Sequence, residues 1–174
     1  MLKVGEMVVY PIHGVARIVD IKNVIIGGSE QQCYILQSES TPQRPVIKLP
    51  VDKVESNRVR RVLRGEEVPP VIEFLKQRRR REEPQIWSKR YRHYQDKMRS
   101  GDIFETAEVY KDLSLLKETK DLSLSERKLF DQARNLLIKE LSIAEQKDEE
   151  EVERYIISAI RRSNTRAEED DAGN

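Results

Sequence analysis

Hydrophobic residues in the first part of the chain recur at every second position, in short runs separated by turn residues. This period is typical of half-buried β-strands. The pattern predicts strands at residues 7–10, 15–21 continuing toward 26, 33–37, 45–49 and 58–62. Gly27-Gly28 is a hairpin turn signal. Short strands in this number predict a small, strongly twisted β-barrel of the SH3-like or Tudor-like kind.

After Gly65 the apolar positions change to a helical spacing, beginning with a stripe behind Pro69-Pro70, which suit a first helical turn. Further helices open at Asp102 and at Ser123, where Ser-Leu-Ser-Glu forms a capping box. Helical periodicity then continues to about residue 163. The predicted fold class is therefore α+β, a small Tudor-like or SH3-like β-barrel followed by a compact all-α domain.

These patterns divide the chain into four segments. Pro84 biases Glu83 away from helical geometry, so a domain boundary is expected between residues 80 and 85. The predicted segments are a Tudor-like module (1–64), a helix and linker (65–83), a helical domain (84–163) and a charged, disordered tail (164–174).

The formal net charge of +1 conceals an uneven distribution. Lys and Arg outnumber Asp and Glu by ten to six in residues 1–64 and again in residues 65–100, whereas residues 101–174 carry twelve against nineteen. Such a chain can bind nucleic acid through one face. The lone Cys33 excludes an intramolecular disulfide, and no apolar run is long enough for a bilayer, so a cytoplasmic protein is expected.

Catalytic chemistry is not indicated by any group of residues. His13 and His93 fall in different predicted domains, without a nearby cysteine or a carboxylate at metal-ligand spacing. A glycine-rich phosphate loop is lacking, and the acidic run 148–151 is more typical of a solvated helix start than of a metal site. We expect neither enzyme activity nor a cofactor or metal.

Trp87 is the only tryptophan, and it lies within the basic stretch 76–99. A wide apolar ring among cations suits contact with phosphates and bases, yet an aromatic residue at the start of a helical domain also suits a core. The residues alone leave burial and exposure open. Arg78 to Arg81 point all around a helix, so they are either a solubilising helix end or a source of non-specific attraction to phosphate.

Two further cations, Arg127 and Lys128, follow the Ser123 cap and fall in the first turn of a helix. Cations there oppose the helix dipole, which mildly favours a phosphate contact, although such charges also occur in helices without a ligand.

Several motifs resemble the CarD/CdnL family of bacterial transcription regulators that bind RNA polymerase. They occur in the family's order and cover nearly the whole chain. The motifs are KVGEMVVYPIHG (3–14), VIKLP (46–50), WSKRYR (87–92), SGD (100–102) with AEV (107–109), and LSLSERK (122–128).

The resemblance implies a domain that docks on the polymerase β subunit and a helical domain that contacts promoter DNA, largely independently of sequence. Trp87 would wedge into the minor groove at the upstream edge of the transcription bubble and favour the open complex. By position, Trp87 is the implied wedge, and Arg92 and Arg127 are the implied backbone-contacting cations. Together with the cations beside them they form the predicted DNA-binding residues, which are Trp87, Lys89, Arg90, Arg92, Arg127 and Lys128. The implied polymerase-binding residues are Val24, Ile47, Lys48 and Pro50, of which Val24 replaces a residue that is basic in some relatives.

The resemblance further implies a monomer that is associated with the nucleoid through RNA polymerase, without contact to a membrane. Two other functions remain open on the residues alone. One is a protein-protein adaptor that uses a strand edge beside the apolar residues 24–26. The other is an RNA-binding or ribosome-associated factor without promoter contact.

Overall fold

The computed structural model describes residues 1–11, 13–77 and 86–172, with the backbone alone for residues 166–172. The chain divides into two compact units between Val62 and Leu63. Strands make up the first unit and α-helices dominate the second, which confirms the predicted α+β class. The units meet two residues before the expected boundary at residue 64.

The first unit is one antiparallel sheet with the strand order β4-β3-β2-β1-β5. Its strands lie close to the predicted positions, and β2 and β3 are longer than expected. The strands are β1 (Met7–Tyr10), β2 (Gly14–Ile26), β3 (Ser29–Ser38), β4 (Val46–Pro50) and β5 (Arg60–Arg61).

The β2–β3 hairpin turns at Gly27-Gly28, as the sequence predicts. Both glycines have positive φ, 59° and 82°, the backbone geometry that a two-residue type I′ turn requires. Along β2 the register shifts between Ile18, which pairs with Leu36, and Asp20, which pairs with Ile35. This bulge at Val19 changes which side of the sheet the following residues face.

The bulge explains how β2 supplies two core residues that are three positions apart. Ile18 and Ile21 pair with Leu36 and Tyr34, which are neighbours on one face of β3. Ile18, Tyr34 and Leu36 are fully or almost fully buried, and Ile21 packs against the same core. The rest of this core consists of Val8, Ala16, Leu49 and Val59.

The described residues of the second unit form five α-helices. They are α1 (Val68–Lys76), α2 (Trp87–Arg99), α3 (Ile103–Thr119), α4 (Leu124–Glu145) and α5 (Glu149–Ala172). Each helix from α1 to α5 contributes buried side chains to one hydrophobic core. The predicted cap at Asp102 accepts a hydrogen bond from the Phe104 N–H, and both hydrogen bonds of the capping box at Ser123 are present.

The structure adds detail to two of the predicted segments. The helix expected within residues 65–83 is α1, and it belongs to the helical unit, because Val71 and Leu75 are fully buried in its core. The backbone of α5 is helical to Ala172, in place of a disordered tail from residue 164. Arg166-Ala-Glu-Glu169 are all good helix formers, and extending an existing helix costs less than nucleating one.

Polar contacts join the three longest helices. Arg134 of α4 makes two hydrogen bonds of 2.7 and 2.6 Å to the Glu153 carboxylate of α5. The Tyr110 hydroxyl of α3 donates to the same carboxylate at 3.3 Å, and its ring stacks on Phe130 with centroids 5.4 Å apart. Burial and the nearby Glu153 charge raise the pKa of Tyr110, so the phenol stays protonated and keeps donating.

The expectations for Arg78 to Arg81, for Pro84 and for a boundary between residues 80 and 85 lie outside the described residues.

Replacing Leu113 with alanine should destabilise the helical unit by about 2–5 kcal/mol, because its fully buried side chain would leave a cavity in the core. Leu124→Ala, at a side chain that is 73% exposed, is the matched control and should change stability by no more than about 0.5 kcal/mol. Urea unfolding followed by Trp87 fluorescence measures both. Equal losses in the two variants would contradict this packing.

Candidate nucleic-acid interface

Trp87 is the first residue of α2 and the first member of that helix's inner stripe. Tyr91, Tyr94 and Met98 follow at spacings of four, three and four residues, the pattern of an amphipathic helix. Tyr94 and Met98 are buried, whereas Trp87 and Tyr91 are partly buried and pack against the core. Trp87 thus combines both interpretations left open by the sequence, since part of its ring is packed and part is accessible.

Two side chains of the same helix contact the Trp87 ring. The Tyr91 ring is tilted by 60° with its centroid 5.7 Å away. The guanidinium carbon of Arg90 lies 5.0 Å from the indole centroid, within range of a cation–π interaction. The ring therefore has an aromatic neighbour and a cationic neighbour within one turn of its own position.

Arg90 also faces a carboxylate of another helix. Its terminal nitrogen lies 3.8 Å from Glu126 Oε1, in the first turn of α4. The Arg90 side chain is 31% exposed, and its Nε is buried without a hydrogen-bond partner among the described residues. The structure thus places Arg90 between Trp87 and Glu126, although the sequence grouped it with the DNA-contacting cations.

Glu126 is a buried carboxylate with several partners. Its side chain is only 4% exposed, it accepts from the Ser123 N–H at 2.8 Å, and Lys120 Nζ lies 3.1 Å away. Burial alone would raise the pKa of Glu126, but the hydrogen bonds from Ser123 and Lys120 outweigh it and hold the pKa below its ordinary value of 4.5. Glu126 is therefore ionised at neutral pH and attracts Arg90.

Lys89 and Arg92 lie on the outer face of α2, and both are exposed. Together with Ser88, His93 and Asp96 they line a shallow depression of about 400 Å³. Among the residues that the structure describes, neither cation has an ion-pair partner. Positions 89, 92, 93 and 96 follow helical spacing, so this face can present two positive charges to a phosphate backbone.

Arg127 and Lys128 are both exposed in the first turn of α4, as the sequence indicates. They directly follow Glu126, the residue that meets Arg90 of α2. The starts of α2 and α4 are therefore neighbours, with the exposed Lys89 and Arg92 in the first two turns of α2 and the exposed Arg127 and Lys128 at the start of α4. Leu124, also in this turn of α4, is an exposed apolar residue.

In the sequence, Glu126 is recognisable only as the cap partner of Ser123, and neither Lys120 nor Tyr91 is predicted to have a role of its own. A Glu three residues after a Ser cap is normally a surface residue, so its burial against another helix could not be inferred from the motif. The aromatic spacing between Trp87 and Tyr91 was the one signal in the sequence for the ring contact.

Two of the residues assigned to polymerase binding, Lys48 and Pro50, lie on strand β4 at one edge of the sheet. Strand β4 ends the sheet, and β3 is its only strand partner among the described residues. Lys48 in the middle of this strand is exposed, and Pro50 at its end is partly buried. The other edge of β4 is therefore able to accept an additional strand.

Val24 and Ile47 occupy different surroundings from Lys48. Val24 pairs with Gln31, in the part of the β2–β3 hairpin that extends beyond β4. Gln31 lies four residues along β3 from Ile35, and Ile35 pairs with Lys48. That spacing corresponds to about 13 Å.

Ile47 packs against the core of the sheet. Its side chain is therefore turned inward, although part of it stays accessible. The Ser38 N–H bonds to the Pro45 C=O, so the Leu36–Ile47 pair two residues along is also hydrogen-bonded, and the backbone of Ile47 faces β3 rather than the free edge.

In the part of the chain that the structure describes, no helix combines the length and the apolar composition needed to cross a bilayer. Within the same residues, no group of three or more His, Cys, Asp or Glu side chains is arranged to hold a metal ion.

Known proteins match both units. Residues 70–157 match the family model of the CarD C-terminal domain, and residues 2–63 match the model described as the CarD-like/TRCF RID domain. The chain is also 28% identical over 155 residues to a Bacillus subtilis protein named "Putative transcription factor YdeB". This alignment covers 89% of the present chain and 99% of that protein.

The lowered pKa of Glu126 predicts a pH-dependent contribution to stability. Because the folded state favours the ionised carboxylate, this contribution is present above the unfolded pKa and is lost as the pH falls through the folded pKa. Glu126→Gln retains a cap partner but has no charge. The difference in Tm between the wild type and this variant should therefore be largest near neutral pH and shrink toward zero on acidification.

Thermal melts followed by circular dichroism across this pH range test the prediction. Asp131→Asn, at an exposed position of the same helix, is the control, and its Tm difference should vary little with pH. A constant difference for Glu126→Gln would show that its charge does not stabilise the fold.

Proposed function

This chain belongs to the CarD family of transcription regulators, and from that we propose that it binds the RNA polymerase β subunit and stabilises the promoter open complex. Trp87 acts as a wedge at the upstream edge of the transcription bubble. The observation that carries this proposal is the position of Trp87, partly buried on a packed core and next to a first turn that presents exposed cations.

A wedge needs a rigid base and an accessible edge. The helical core supplies the base, because Trp87 continues into the buried stripe of Tyr94 and Met98. The accessible part of the indole is apolar and wide enough to press against an opened base step in the minor groove. A fully buried tryptophan could not reach DNA, and a fully exposed one would have to be ordered upon binding.

The effect on transcription follows from unequal affinity for two DNA states. A factor that contacts melted DNA more tightly than closed duplex shifts the equilibrium by that difference alone. One wedged or stacked aromatic ring contributes about 1–3 kcal/mol, which is about fivefold to over a hundredfold in the open fraction. Because part of the Trp87 ring already packs against protein, we expect a value near the lower end.

Four exposed cations support this contact without selecting a sequence. Lys89 and Arg92 on α2, with Arg127 and Lys128 on α4, are available to phosphate oxygens on the DNA backbone. Four phosphate contacts give only weak, salt-sensitive binding. The protein therefore depends on polymerase to bring it to promoters, and it acts generally rather than at one operator.

Polymerase binding is assigned to the first unit. The match to the CarD-like/TRCF RID domain supports this role, and the open edge of β4 is a suitable docking element. A strand of the β subunit can pair with the backbone of β4, while Lys48 offers a charge at the rim of the contact. Pro50 and the more distant Val24 add apolar contact area, together with the accessible part of the Ile47 side chain.

We further propose that the protein works by binding alone, as a monomer, without a catalytic step, cofactor or metal. Polymerase would keep it at the nucleoid within the cytoplasm. The competing proposal is a protein-protein adaptor, which the open β4 edge favours. An adaptor's complexes would persist at high salt and would give no promoter crosslinks at Trp87, whereas promoter binding must weaken with salt.

Trp87→Ala should shorten the open-complex lifetime by about fivefold or more, because the wedge is lost. Binding to core polymerase should not change, because Trp87 belongs to the helical unit. The measurement is open-complex decay after addition of a competitor. Trp87→Phe keeps a ring on Tyr91 but a smaller wedge, so it should give an intermediate lifetime.

Circular dichroism must accompany this experiment, because Trp87→Ala also removes contacts with the core. A folded Trp87→Ala protein with an unchanged open-complex lifetime would contradict the wedge. If Trp87→Ala does not fold, the open-complex lifetime of Trp87→Phe tests the wedge instead.

Lys48→Glu should weaken binding to the polymerase β subunit by about tenfold, since it reverses a charge in the centre of the docking strand. The side chain is exposed, so the fold of the sheet should persist. Lys53→Glu, at an exposed lysine outside β4, is the matched control and should bind normally. Equal weakening in both variants, measured by titration against polymerase, would indicate non-specific attraction instead.

A further inference from the structure

We propose that Arg90 is a positioning residue for Trp87, held against the indole ring by Glu126 of α4 rather than available to a DNA phosphate. This inference rests on the proposed function of Trp87 as a wedge. It separates Arg90 from its neighbours Lys89 and Arg92, with which the sequence grouped it.

The Arg90 guanidinium has one protein group on each of two sides, and its side chain is 31% exposed. On one side its central carbon is 5.0 Å from the indole centroid, and on the other its terminal nitrogen is 3.8 Å from Glu126 Oε1. The second distance is that of an ion pair without a hydrogen bond. Arg90 Nε is buried as well, so a phosphate would have to draw the group away from both partners.

The carboxylate opposite Arg90 is itself fixed in place. Glu126 accepts from the Ser123 N–H at 2.8 Å within the capping box, and Lys120 Nζ lies 3.1 Å from Oε1. It is almost completely buried, so its charge is poorly screened by water and by salt. The start of α4 thus provides a stationary negative charge that determines where the Arg90 cation lies.

Trp87 needs such support because it begins its helix. Ile86, the cap residue of α2, makes no side-chain capping hydrogen bond, and the ring lies in the first turn, which frays most readily. The planar guanidinium and the tilted Tyr91 ring restrict the indole from within the helix. A ring ordered before binding loses less entropy at the bubble, so the wedge is more effective.

The lone tryptophan makes the inference directly measurable, because fluorescence of the full-length protein reports on Trp87 alone. Two variants remove the support, Glu126→Gln, which keeps the cap partner, and Arg90→Met, which keeps an unbranched apolar side chain. Arg92→Gln removes an exposed cation of the same helix and is the matched control. Time-resolved anisotropy without DNA, the salt dependence of duplex binding, and open-complex lifetime are measured for each.

We expect Glu126→Gln and Arg90→Met to increase the amplitude of fast indole motion and to shorten the open-complex lifetime about two- to fivefold, as loss of one cation–π contact allows. Arg90→Met should leave the slope of log K against log salt unchanged. Arg92→Gln should show the opposite pattern, with unchanged anisotropy and a slope reduced by about one.

An Arg90→Met protein with unchanged anisotropy and a slope reduced by about one would overturn the inference, since Arg90 would then be a phosphate contact. If Glu126→Gln weakens the α4 cap and unfolds the unit, Arg90→Met decides alone, because Arg90 caps no helix. A failure of the proposed wedge function would give a different result from a failure of this inference. In that case Trp87→Ala would leave the open-complex lifetime unchanged, while Arg90→Met would still increase the fast motion of the indole ring.

Discussion

The buried carboxylate of Glu126 is the contact through which the start of α4 meets the start of α2. A charge with so little access to water is costly unless it is paired, and here a backbone N–H, Lys120 and Arg90 surround it. Its pKa stays low despite burial, because the hydrogen bonds from Ser123 and the charge of Lys120 outweigh desolvation. The starts of α2 and α4, which carry the exposed cations, are neighbours, and this carboxylate contacts Arg90 between them.

Trp87 illustrates how stability and binding share one side chain. Its packing against the helical core contributes to stability, yet the same packing reduces the area available to a partner. A partly buried position is a compromise in which the core fixes the ring and solvent reaches the remainder. The neighbouring Arg90 takes part in this compromise, because a cation over the indole face excludes water there while its charge is balanced by Glu126.

In the first unit, the proposed polymerase contact depends on the edge that the sheet leaves unpaired. The bulge at Val19 allows Ile18 and Ile21 to enter the same core, which fixes the register between β2 and β3. Strand β4 then completes the core with Leu49 and presents Lys48 on its other side. A short edge strand with an exposed lysine disfavours non-specific pairing with strands of other molecules, but a specific partner strand can still bind to it.

The sequence by itself determined the positions of the strands and helices, and it identified four cations that the structure shows to be exposed, Lys89, Arg92, Arg127 and Lys128. Period-two and helical spacings depend on neighbouring residues only, so the strands, the Gly27-Gly28 turn and the Ser123 cap could be predicted. The family motifs likewise identified the relationship that the matches to known domains establish.

Only the tertiary structure decided the roles of Arg90, Glu126 and Ile47, and the membership of α1 in the helical unit. Each depends on contacts between elements distant in the chain: Arg90 meets a residue of α4, and Ile47 meets the core of the sheet. A local pattern records charge and polarity but not which cation is buried against a carboxylate. Burial and long-range pairing arise only when elements pack. Packing places Arg90 against Glu126 and leaves Lys89 and Arg92 exposed.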